Sequence, residues 1–83
     1  MLRVLYFASL REAFGRDREE LALPQTATVA GLIDCLRGRG GAWSEKLAPD
    51  RRWRVAVNQD MATLDAAIAD GDEIAIFPPV TGG

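Results

Sequence analysis

Leu2, Val4, Tyr6 and Ala8 alternate with Arg3, Leu5 and Phe7, the period-2 pattern of a strand with one face in a core. Leu5 and Phe7 then point to the other face, either covered by another element or exposed as part of a docking surface. In SLREAFG, Ser9 and Glu12 have capping-box spacing, Leu10, Ala13 and Phe14 share a helical face, and Gly15 can end the turn. EELALP, Glu19 to Pro24, reads as a second strand stopped by its proline. Thr28 is placed to cap a longer helix, because Val29, Leu32, Ile33 and Leu36 fall at i, i+3, i+4 and i+7. Gly31 lies opposite that stripe, and Gly38, Gly40 and Gly41 stop the helix.

Trp43 and Leu47 form an i, i+4 pair in a brief turn behind Ser44, ended near Pro49. Arg54 to Asn58 alternates again with Val55 and Val57 inward, and Asn58-Gln59-Asp60 turns into a short strand around Met61 to Leu64. Leu64 and Ile68 precede Asp70-Gly71-Asp72, a tight turn, and Glu73 to Phe77 is the last strand. Ile74 and Ile76 face inward there, so Ala75 and Phe77 face outward. The order predicts an α+β fold, a mixed sheet with its helices on one face. If the first two strands form a hairpin, the long helix is a crossover and the last strand returns beside the first, as in a ubiquitin-like β-grasp. One domain is expected over 1–83, globular over 1–77 with a projecting tail at 78–83.

Composition limits the function classes. At 48% hydrophobic and 27% charged residues the chain is an ordinary globular sequence, and a net charge of -2 points to neither nucleic acid nor a membrane. All ten Lys and Arg lie at or before Arg54, whereas Asp60, Asp65, Asp70, Asp72 and Glu73 follow it without a base. Such a segment is either a solvated acidic loop or a field that steers the tail end toward a basic cleft. A single cysteine, Cys35, gives no disulfide framework and fits the cytoplasm, and MLRVLYFASLRE has neither a signal-peptide pattern nor a membrane-spanning run.

Independent catalysis is not expected, because there is no histidine and no nucleophile beside a base, and a metal site lacks ligands for the same reason. GRGG at Gly38 to Gly41 lacks the Lys-Ser/Thr of a phosphate loop and reads as a helix stop. Cys35 reads as a small helix-flank residue rather than a reactive thiol. Arg51, Arg52 and Arg54 around Trp53 read as a solvated strand edge with the indole packed beneath, rather than an RNA site.

What remains is FPPVTGG, Phe77 to Gly83. Pro78 and Pro79 stiffen the exit from the last strand, and glycines without Cβ can thread a channel too narrow for side chains. A carboxylate at Gly83 is a poor electrophile until activated, for example as a mixed anhydride with AMP. Sulfur can then displace AMP, and the resulting thiocarboxylate is a nucleophile.

VLYFASLRE at Val4 to Glu12, VNQ at Val57 to Gln59 and DGDEIAIFPPVTGG at Asp70 to Gly83 together resemble the MoaD family of sulfur-carrier subunits of molybdopterin synthase. The resemblance spans nearly the whole chain and is weakest over Ala22 to Arg54. It implies a ubiquitin-like fold whose terminal Gly83 is adenylated with ATP by a MoeB-type enzyme and converted to a thiocarboxylate by a sulfurtransferase system. Val80, Thr81 and Gly82 would enter the MoaE-type large subunit with it. There the sulfur passes to cyclic pyranopterin monophosphate, building the dithiolene that later binds molybdenum. The catalytic side chains are expected on the large subunit, with no cofactor bound permanently by the carrier. Phe7, Met61 and Phe77, with Pro78 and Pro79, match the family's apolar docking surface. The alternatives are a thiamin-type sulfur carrier, a ubiquitin-like protein modifier and a plain interaction module.

Overall fold

A computed structural model of the chain describes residues 1–79. Its elements are β1 (Leu2–Tyr6), α1 (Ser9–Phe14), β2 (Arg18–Leu21), α2 (Val29–Arg37), α3 (Ala42–Lys46), β3 (Arg54–Val57), β4 (Asp60–Ala62) and β5 (Glu73–Phe77). The strands form one sheet in the order β2-β1-β5-β3-β4. Only the central pair, β1 with β5, is parallel; the other neighbours are antiparallel. A parallel pair cannot be joined by a tight hairpin, and here the connection between its strands includes α2, which lies against the sheet. This is the mixed-sheet β-grasp expected from the element order.

Strand parity sets the core. Leu2, Val4 and Tyr6 of β1 and Ile74 and Ile76 of β5 are all buried, and they meet the α2 stripe of Val29, Leu32, Ile33 and Leu36. Thr28 caps α2, its hydroxyl accepting the Gly31 N–H at 3.1 Å. The two N–H groups before it are taken by carbonyls of a distant segment, Val29 by Ala66 and Ala30 by Leu64. The chain past β4 therefore completes the helix start, which explains why β4 stops at Ala62 instead of reaching Leu64. Leu64 itself is half exposed.

Three other local expectations are corrected. The Ser9–Glu12 capping box is not formed: Ala8, at φ 52°, precedes α1, and no side chain caps it. Leu10 and Arg11 donate back to the carbonyls of Phe7 and Ala8, so the turn begins one residue earlier and Ser9 is already helical. β2 ends at Leu21 because Leu2, the first residue of β1, is the partner of Leu21; Ala22 and Leu23 run past the end of β1. α3 starts at Ala42 rather than behind Ser44, since Gly41 adopts φ 56° and ψ −131°, a conformation hostile to residues with a Cβ. Ser44 instead donates its hydroxyl to the Gly41 carbonyl.

The Gly-rich segment after α2 is tied to the sheet by an aromatic and ionic cluster. Trp43 stacks on Phe14 at 3.8 Å between centroids, and Tyr6 meets both rings edge-on. Arg39 lies over the indole at 4.5 Å and reaches both oxygens of Glu19 at 2.8 and 3.0 Å. Glu19 also accepts the hydroxyl proton of Tyr6, whose side chain is otherwise enclosed. Burial and then this bond to Glu19 push the Tyr6 hydroxyl above its ordinary pKa. Burial opposes ionisation of Glu19, but hydrogen bonds from Arg39 and Tyr6 outweigh it and hold the carboxyl below its usual range.

Asn58 and Gln59 form the β3–β4 hairpin turn at φ 50° and 73°. Asn58 accepts the Glu73 N–H with its side-chain oxygen and donates to Asp72 with its amide, so the turn also clasps the start of β5.

Candidate functional site

With Ile74 and Ile76 in the core, Ala75 and Phe77 must lie on the sheet face that the helices leave open. The same holds for Leu5 and Phe7 beside them. Because β1 and β5 are parallel with Tyr6 opposite Ile76, the next residues, Phe7 and Phe77, come side by side. Their rings stack at 4.8 Å between centroids with planes 14° apart, and the Phe7 N–H continues the ladder to the Ile76 carbonyl. Phe7 remains 39% exposed.

The register assembles an apolar row next to this stack. Leu5 lies opposite Ala75, Ala75 opposite Ala56, and Ala56 opposite Met61, running across β1, β5, β3 and β4. Met61 is 60% exposed. The alanines are enclosed although no helix covers this face, so the row is shallow in the middle and raised at its ends. Arg18 flanks it beside Leu5, and Arg54 stands opposite Phe77. A face of this kind, apolar in the middle and charged at the rim, suits a protein partner.

The structure thus brings Phe7, Phe77 and Met61 to one face, as expected. Pro78 and Pro79 leave β5 directly from it and are half-buried. Val80, Thr81, Gly82 and Gly83 lie outside the described residues. Ala75 was expected on this face beside Phe77, but Ala56 escaped sequence reasoning, because it sits between two inward valines and nothing in a methyl group marks it as part of a surface. Cys35 is a free, exposed thiol on α2, and among the described residues no group of His, Cys, Asp or Glu could hold a metal. Nor is any helix among them long and apolar enough to cross a membrane. The site is thus an exposed apolar face, with Pro78 and Pro79 leaving β5 at its edge.

The chain is similar to known proteins along its whole length. The ThiS family model matches residues 4–83. The chain is 41% identical to the molybdopterin synthase sulfur carrier subunit of Escherichia coli and 42% identical to that of Haemophilus influenzae, in both cases over the whole of either chain. Among solved structures it is similar to small archaeal modifier protein 1 of Haloferax volcanii, with a TM-score of 0.76 at 32% identity over 95% of this chain and 97% of that one.

Proposed function

The chain belongs to the ThiS family, and from that premise we propose that it is the sulfur carrier subunit of a molybdopterin synthase. The observation that carries the proposal is the Phe7–Phe77 stack: an apolar docking point at the root of the tail, in a chain alignable end to end with such subunits. The stack and the row behind it seat a MoaE-type large subunit while Val80 to Gly83 enter its active site. Gly83 carries the chemistry. Its carboxylate oxygen attacks the α-phosphorus of ATP on a MoeB-type enzyme, pyrophosphate leaves, and sulfur supplied by a sulfurtransferase system displaces AMP from the acyl carbon.

The thiocarboxylate sulfur then attacks a carbon of cyclic pyranopterin monophosphate and displaces an oxygen leaving group. Water hydrolyses the resulting thioester, so that the sulfur stays on the pterin and the chain returns with an ordinary carboxylate. No permanent cofactor is needed, since ATP is consumed on the activating partner. The single free thiol fits a reducing cytoplasm.

Intact-mass analysis after incubation with ATP, activating enzyme and a sulfur source tests the assignment. Replacement of one oxygen by sulfur at Gly83 is the expected result, and an unchanged mass beside an active partner would overturn it. A modifier role has support in the likeness to small archaeal modifier protein 1, and adducts on target lysines would be its signature. Supplying the thiocarboxylated chain and large subunit with a pterin or a thiazole precursor separates the two carrier classes.

Phe77→Ala is expected to weaken large-subunit binding by about thirtyfold, or ~2 kcal/mol, the scale of an aromatic hot spot. Its thermal unfolding should change little, because Phe77 faces away from the core cluster. Calorimetric titration checks this, and undiminished affinity would remove Phe77 from the interface.

A further inference from the structure

At the β3–β4 edge the sheet opens into a groove of about 610 Å³. Its floor includes Val55, which is buried, and its walls include Trp53, Met61 and Leu64. The Trp53 indole N–H donates to the Ala48 carbonyl at 3.0 Å, which fixes the ring as a wall. Arg51, Arg52 and Arg54, all exposed, also line it, and no acidic residue among the described residues joins them. Arg3, Arg16, Arg37 and Arg39 each have a carboxylate partner. Among the described residues Arg51, Arg52 and Arg54 have none within ion-pair distance; Arg11, Arg18 and Lys46 have none either, but they do not line the groove. Three unneutralised guanidinium groups around an apolar cleft favour carboxylates that can pair two oxygens with a guanidinium fork.

The groove is continuous with the docking face. Met61 belongs to both, and Arg54 is the register partner of Phe77 at the root of the tail. We propose that this groove receives an acidic segment of the large subunit, its carboxylates on Arg51, Arg52 and Arg54 and an apolar side chain between Trp53 and Leu64. The proposal rests on the carrier assignment, and it makes the contact two-sided: the phenylalanine stack on one flank of the tail root and the groove on the other.

The test is surface-plasmon binding of the full chain and of Arg51→Ala/Arg52→Ala to the large subunit at several salt concentrations, with thermal melts to verify folding. Arg54 is kept, because it also flanks the stack. The double variant is expected to bind about tenfold more weakly, with a faster dissociation rate and a shallower salt dependence. Equal affinity at every salt concentration overturns the proposal, as does a change confined to the association rate, which reports only long-range steering. Binding of a single-stranded RNA oligomer that is lost in the variant, with large-subunit affinity untouched, also overturns it and assigns the groove to nucleic acid. In each of these cases thiocarboxylation of the wild-type chain keeps the carrier assignment standing. A wild-type chain that is neither thiocarboxylated nor bound by the large subunit brings down both.

Discussion

Deletion of Gly83 is expected to leave a folded domain that no longer delivers sulfur, with thiocarboxylate formation and synthase activity reduced by at least about a hundredfold. The fold survives because every residue of the buried cluster lies between Leu2 and Ile76. The deletion leaves a carboxylate, now on Gly82, so the chemical group is still present. What changes is its reach, shortened by roughly 3.5 Å, one extended residue. A displacement of even ~1 Å at a reacting centre can cost about a hundredfold, so a whole residue places the acyl carbon out of range of the nucleotide. Large-subunit affinity should fall far less than activity, since the Phe7–Phe77 stack is untouched. Single-turnover sulfur transfer and intact-mass measurement check this together. Full activity in the shortened chain would show that the reacting carbon is not positioned by tail length.

Replacing Gly31 by alanine is expected to be the most damaging conservative change in the helix. Alanine is favoured over glycine inside a helix by about 1 kcal/mol, so an exposed position would gain stability. Here a Cβ on Gly31 would lie 2.0 Å from the carbonyl oxygen of Thr26 and 3.0 Å from its carbon. That oxygen cannot withdraw freely, because it accepts the Thr28 N–H at 2.8 Å, and Thr28 in turn caps the helix through Gly31 itself. Relief requires moving either the cap or the start of α2. A net loss of about 2 kcal/mol follows from overpacking of this kind. In a domain of this size it lowers the melting temperature by roughly 8–16 °C. An unchanged or raised melting temperature would show that the Thr26 segment yields without cost.

Gly31 also marks where sequence patterns stop being informative. The α2 stripe was legible because Val29, Leu32, Ile33 and Leu36 repeat at helical spacing, and the strands because their apolar residues alternate. These signals are local. The reason for glycine at position 31 is a backbone five residues away in a loop, which no periodicity records. The Tyr6–Glu19–Arg39 cluster was invisible for the same reason, since its members are 13 and 20 residues apart and converge only when β1, β2 and the segment after α2 are assembled. Ser9 shows the opposite failure: a sound local motif lost to the backbone turn at Ala8.

For the candidate site, strand parity alone was enough to place Phe7 and Phe77 outside the core. Their stacking, and the row from Leu5 through Ala75 and Ala56 to Met61, depended on the parallel register of β1 with β5. The groove at Arg51, Arg52 and Arg54 was read only as a solvated edge. Its lining joins Trp53 to Met61 and Leu64, residues whose approach the order of the chain does not reveal.

The strand that ends in the tail is also the middle strand of the sheet, bonded to β1 on one side and β3 on the other. A tug on Pro78 and Pro79 along the axis of β5 therefore loads two ladders at once, in shear, and no single bond can be peeled open ahead of the rest. Under the proposed carrier role, a partner that holds the tail grips the domain at the centre of its sheet rather than at an edge.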